Sequence, residues 1–262
     1  MDLGLAGKRA LVTASTGGIG RAIAASLAGE GATVAVNGRS PETVDAALAG
    51  LRDEVPNGDF ASVVSDNGTA EGAEATIRAF PELDVLVNNL GIYDTVPFFA
   101  EGDGTWLRTF EVNVLSGVRL ARHHLRRMLA RGSGRVIFIA SEAAIQPPPD
   151  MASYSASKAM QLSVSRSLAE LTKGTAVTVN TVMPGTTRSA GLEKVVRDTY
   201  PDASPEEGER RFIAEERPTS LIARLIEPRE IADLVAYVAS ERASALNGAS
   251  LRIDGGIVRS IP

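Results

Sequence analysis

Tyr154 and Lys158 bracket the stretch YSASK, with only the small side chains of Ser155, Ala156 and Ser157 between them. Residues four apart on a helix are neighbours on one face, so the phenol and the ammonium stand together. A free tyrosine ionises at about pH 10 and is a poor base at neutrality. A cation alongside favours the phenolate, drawing the hydroxyl toward a range where it can protonate an alkoxide or deprotonate an alcohol. Taken alone, the two residues read more simply as a buried tyrosine and a lysine that snorkels to water. Two others favour chemistry. Ser141 ends the run RVIFIAS and could donate a hydrogen bond to an oxygen that gains negative charge. Asn113 is a polar residue within FEVNVLS, readable as a site residue or as an amide that bends or caps a helix.

A second kind of chemistry lies in TASTGGIGRAIA, a glycine-rich turn after an apolar run and ahead of a helical pattern. Gly17, Gly18 and Gly20 let backbone approach a pyrophosphate, whose charge a helix N-terminus attracts. The spacing is not GxGxxG, and a plain strand-to-helix turn is the alternative. The next strand ends in VNGRS, with no acid before Glu42. A dinucleotide without a 2′-phosphate is usually held there by an Asp or Glu, whereas Arg39 suits a 2′-phosphate. The pattern predicts NADP in preference to NAD, unless Arg39 is a solvated turn residue.

These residues need a scaffold, and the chain predicts one. Short apolar runs at 9–14, 33–37, 60–65, 84–89, 135–141, 176–182 and 250–254 read as strands, several apolar on both faces. Helical patterns such as 20–31, 114–129, 154–172 and 228–240 alternate with them. Repeated strand–helix alternation predicts an α/β fold, a doubly wound parallel sheet with helices on both faces. One segment departs from the rhythm. Residues 186–227 are polar and charged without a strand pattern, and are expected to form a substrate-binding loop or lid at the carboxyl edge of the sheet. No linker divides the chain, so residues 1–262 are expected to form one domain.

Composition narrows the function classes. The 262 residues are 44% hydrophobic and 23% charged, ordinary for a globular core, and the net charge of −5 argues against a nucleic-acid surface. Without cysteine there is neither disulfide nor thiolate chemistry. No run reaches the ~18 apolar residues of a membrane span, and Asp2 stands where a signal peptide would be basic. A soluble cytoplasmic protein is expected. His123 and His124 are adjacent, hence on different faces of a helix, and no third histidine exists, so no metal site is predicted. The basic run RLARHHLRRMLAR reads as a solvated helix face. The terminal DGGIVRSIP is apolar for a free tail and could cap its own sheet or meet a partner subunit.

Together these features resemble the short-chain dehydrogenase/reductase family, in its single-domain branch. TASTGGIG stands for TGxxxGxG, Asp66 follows the third strand, NNLG (88–91) stands for NNAG, and Asn113 is the helix asparagine. Ser141 falls thirteen residues before Tyr154, YSASK fits YxxxK, and NTVMPG (180–185) fits NxVxPG. The resemblance implies a Rossmann-type seven-stranded sheet and an oxidoreductase that interconverts a ketone and a secondary alcohol, with NADP(H) preferred and NAD(H) a second option. Tyr154 would be the acid/base and Ser141 would hold the substrate oxygen. Lys158 would bind the nicotinamide ribose, and Asn113 would hold a water relaying protons. The turn residues Thr13, Ser15, Gly17, Gly18, Ile19 and Gly20 would contact the cofactor, with Arg39 at its phosphate. Asp66 and Asn67 would meet the adenine, Asn89 and Gly91 the ribose region, and Thr187 the carboxamide. A homodimer or homotetramer is implied, built on helices 107–130 and 154–172. Runner-up activities are 3-oxoacyl-carrier-protein reduction and sugar or sterol dehydrogenation; a non-catalytic dinucleotide sensor is the alternative class. Three positions depart from the family. Ala14 replaces a glycine and is expected to keep φ negative. Leu90 replaces a small residue at the cofactor channel, and Ser189 stands where threonine is frequent.

Overall fold

The computed structural model describes residues 2–261. Among them, Arg9–Val12 (β1), Thr33–Gly38 (β2), Asp59–Val64 (β3), Val85–Asn88 (β4), Ser133–Ile139 (β5), Ala176–Pro184 (β6) and Ser250–Ile253 (β7) form one sheet. Its order is β3-β2-β1-β4-β5-β6-β7 and every pairing is parallel. The order reverses between β1 and β4, which opens a crevice at the carboxyl ends of those strands.

The strands read as continuous apolar runs because both faces are covered. Ala10, Val12, Val34, Val36 and Ile137 face helices Gly18–Gly29 (α1), Pro41–Glu54 (α2) and Pro228–Ala239 (α9). Leu11, Ala35, Leu86, Val136 and Phe138 face Ala70–Ala79 (α3), Ser116–Arg131 (α5) and Ala152–Glu170 (α6). Successive residues of a strand thus enter opposite cores. Helix Asp103–Phe110 (α4) runs into α5 through a π turn, Glu111–Leu115, that carries Asn113.

The segment 186–227 is not the loop that its charge suggests. It folds as helices Ala190–Thr199 (α7) and Pro205–Glu216 (α8), capped by the Ser189 and Ser204 side chains, which accept from Leu192 N and Glu207 N. Leu192, Val196 and Tyr200 recur every four residues and pack with Phe212, Ile213 and Leu225 in a core of their own. That stripe is narrow and flanked by charges, which hid it. A bridge between Thr187 and Ile226 pairs the two ends of the segment. The terminal Ile257 and Val258 are buried within the chain, held by Asp254, whose carboxylate accepts from Val258 N, while Ile261 is exposed.

Candidate active site

The turn after β1 is built by interior bonds. Thr13 Oγ1 accepts from Asn89 N and Leu90 N, both at 2.9 Å, tying the ends of β1 and β4 together. Ser15 Oγ donates to Val12 O and accepts from Asn37 N. Both side chains are therefore buried struts, and only their backbone is left for a ligand. Ala14 lies between them at φ 51, against the expected negative value. It is held there because its N–H donates to Asn37 Oδ1 while its carbonyl accepts from Asn89 Nδ2. Gly17 begins α1 with no side-chain cap, so the first N–H groups of the helix lack a side-chain acceptor. A methyl built on Gly17 or Gly18 would meet no atom within 4 Å, whereas one on Gly20 would lie 2.5 Å from Ala14 O and from Asn89 Nδ2. Gly20 serves close packing, Gly17 and Gly18 leave an open cradle, and Ile19 packs against the α1 core.

Arg39 is exposed directly after β2, with Glu42 turned to the N-terminus of α2, where backbone bonding and Ser40 lower its pKa. Asp66 is exposed after β3 and accepts from Gly68 N. Asn67 is buried, its amide spent on Asn37 and Thr76, so its side chain looks inward. After β6, Thr187 Oγ1 donates to Gly185 O. All these positions lie at the carboxyl edge of the sheet.

Beside the cradle, four elements converge. Lys158 Nζ lies 5.5 Å from the Tyr154 ring centroid and donates to Ile139 O at 2.9 Å. A methyl on Gly91 would stand 3.2 Å from that Nζ and 3.6 Å from Asn113 Oδ1, so a side chain there would press on the lysine. Asn113 is fully buried: Oδ1 accepts from Ile92 N, and Nδ2 donates to Ile92 O and Ser157 Oγ. Its side chain locks the strand leaving β4 onto α6. Its carbonyl accepts from Gln161 and, with Oδ1, is what remains to hold a water. Tyr93 packs edge-on against Tyr154, ring centroids 6.0 Å apart.

Sequence reasoning passed over Glu142, although an acid directly after Ser141 was a usable signal. Ser141 Oγ donates to its carboxylate at 2.6 Å and accepts from Ala143 N at 3.1 Å. Burial raises the Glu142 pKa above 4.5, with the Ser141 bond and the Arg217 charge opposing. Burial pushes the Tyr154 hydroxyl well above its usual 10, opposed by a hydrogen bond to Ser141 and reinforced by the charge of Glu142 and by Tyr93. Burial also brings Lys158 down to about 8, with Glu142 pulling the other way. The lysine was expected to dominate the phenol; in the protein alone, desolvation outweighs it.

Above this cluster stand α7 and α8. Arg188 binds Glu209 and Glu227, each at 2.8 Å, and Lys194 binds Asp198. These cations are engaged within the chain. Arg217 Nε donates to Thr186 Oγ1 at 3.1 Å, which places its charge at the rim near Glu142.

A parallel sheet with a glycine cradle at its switch point and a Tyr–Lys pair beside it defines a nucleotide-dependent class of α/β proteins. Comparison gives the family. The short chain dehydrogenase model matches residues 8–200, and the chain belongs to that family. It is 53% identical to the uncharacterized oxidoreductase YvaG of Bacillus subtilis (strain 168), over 100% of both chains. The crystal structure of L-sorbose reductase from Gluconobacter frateurii, complexed with NADPH and L-sorbose, superposes with a TM-score of 0.93 at 29% identity over 100% of both chains. An actinorhodin polyketide ketoreductase variant with NADPH gives 0.85 at 32% identity, covering 97% of this chain and 98% of that one.

Proposed function

We propose that this oxidoreductase is an NADP(H)-dependent carbonyl reductase that interconverts a ketone and a secondary alcohol, with Tyr154 as acid/base. The observation that carries the reading is the convergence of Ser141, Tyr154 and Lys158 beside an open glycine cradle. The cradle fits a dinucleotide: uncapped N–H groups at the start of α1 and free space over Gly17 and Gly18 suit a pyrophosphate. The NADPH in the two solved relatives supports the same choice of cofactor.

When bound, the nicotinamide supplies the hydride that the carbonyl carbon receives. The protein's own part is positioning and proton transfer. Gly17 to Gly20 and Arg39 hold the phosphates, Asp66 borders the adenine, and Asn89, Gly91, Lys158 and Thr187 border the nicotinamide end. Ser141 holds the carbonyl oxygen, and Tyr154 gives it the hydroxyl proton as the C–H bond forms, leaving a phenolate that Lys158 stabilises. Asn113 keeps the strand after β4 against α6, so that Gly91 leaves room for the lysine. Helices α7 and α8 form a cap that closes the substrate side. A groove between α5 and α6, lined by Leu125, Leu129, Val164, Leu168 and Leu171, is assigned to a second copy of the chain.

A panel of ketones assayed by loss of NADPH absorbance tests the reading. Turnover of at least one panel member with NADPH is expected; no turnover with either cofactor contradicts it. Light scattering at micromolar protein should give a dimer or tetramer, and a monomer mass would remove the assignment of the groove.

A further inference from the structure

Ser141 has one proton and three places to send it. In the structure it goes to the Glu142 carboxylate, 2.6 Å away, rather than toward Tyr154 or a substrate oxygen. Ser141 also lies close enough to the Tyr154 hydroxyl for its hydrogen bond to lower that group's pKa, but while the serine proton goes to Glu142 the tyrosine can only donate to the serine oxygen. In that arrangement the donors run Tyr154 to Ser141 to Glu142, and neither O–H is free for a carbonyl oxygen. A neutral Glu142 reverses the chain. Its acid O–H can donate to Ser141 Oγ beside Ala143 N, which frees the serine proton for the substrate oxygen and leaves that of Tyr154 free to transfer.

Resting on the carbonyl-reductase reading above, we propose that Glu142 is a positioning residue whose protonation sets the direction of the Ser141–Tyr154 hydrogen-bond chain. Protonated, it directs the chain toward carbonyl reduction; ionised, it holds the donors away and places a negative charge beside the developing alkoxide. No atom is consumed, since the proton given to the substrate is that of Tyr154 and Glu142 only turns the serine. The groups that face Glu142 are Ser141 on its own turn, Tyr154 and Lys158 from α6, and Arg217 after α8. Burial raises its ionisation above the ordinary 4.5.

The test is the pH dependence of reductive kcat/KM for the wild type, Glu142→Gln and Glu142→Ala, each checked by thermal melt. The sign follows from the chain: wild-type reduction falls as pH rises through the Glu142 ionisation. Both variants should lack that step and exceed the wild type by roughly tenfold above it, the worth of one hydrogen bond to a charged oxygen. The Lys158 step near 8 should remain, moved slightly down because Glu142 raises it. Superimposable profiles overturn the proposal, as does a folded Glu142→Gln that is slow at every pH. A wild type that reduces nothing overturns the underlying reading instead, and is recognised because the other two outcomes need an active wild type. Independently of turnover, a carbon-13 titration of glutamate carboxyls, with Glu142 assigned by its absence from Glu142→Gln, should show it ionising above 4.5. Ionisation at or below that value also overturns the proposal.

Discussion

At the scale of single residues, the chemistry depends on which side chains are free and which are spent. Arg39 stands exposed directly after β2. Replacing it with Asp exchanges attraction to a 2′-phosphate for repulsion and gives a ribose hydroxyl an acceptor. Arg39→Asp should therefore reduce the preference for NADPH over NADH by roughly ten- to hundredfold, the range for hydrogen bonds to charged groups. Cofactor titrations by fluorescence read it directly; an unchanged ratio means the phosphate is held elsewhere. Thr13, Ser15 and Asn67 show the limit of reading roles from position. Their motif was legible, but their side chains turn inward to Asn89, Asn37 and Thr76, partners 9 to 76 residues away that only the fold brings near.

At the scale of elements, the strands were legible because sheet burial demands runs of Val, Ile and Leu on both faces. The turn after β1 was not. Ala14 sits at φ 51 because Asn37 and Asn89 clamp both sides of its peptide, and the sequence does not show those clamps. A left-handed alanine costs about 1–2 kcal/mol, and glycine there gains more than the ~0.4–1 kcal/mol of unfolded-chain freedom it brings back. Ala14→Gly should leave the protein equally stable or more stable by up to about 1 kcal/mol, where alanine to glycine in a strand or helix destabilises. Urea midpoints measure it, and a clear loss of stability would show that the clamps relieve the strain. Helices α7 and α8 were missed for another reason. Their few apolar residues pack against one another, and the many charges between them hide the helical pattern. The π turn at Asn113 had no sequence signal beyond a buried amide in an apolar run.

The whole molecule carries a pH-dependent term away from the site. His124 is buried in α5, and burial, then His123, lowers its pKa from 6.5 to about 4. A base whose folded pKa is depressed takes up its proton in the unfolded chain first. Its contribution is complete above 6.5 and is lost as pH falls toward 4. The loss should be about 2–3 kcal/mol between pH 7 and 4.5, and His124→Leu should lack it. Urea unfolding at the two pH values makes the comparison; equal losses in both proteins would place the acid sensitivity elsewhere. The same helix shows how the molecule divides its labour: one face holds the core through Leu120 and Leu125, while Arg122 and Arg126 stay in water.

Carbonyl reduction at this site requires Tyr154 to give the proton. Tyr154→Phe removes one oxygen from a half-buried ring and leaves the cradle, Lys158 and Tyr93 in place. The direct measurement is NADPH oxidation by this variant and the wild type on a ketone that the wild type reduces, with a cofactor titration and a melt beside it. Unchanged folding, near-normal NADPH binding and turnover lower by about 10²-fold or more are expected. Turnover close to wild type in a folded, cofactor-binding Tyr154→Phe would contradict that requirement.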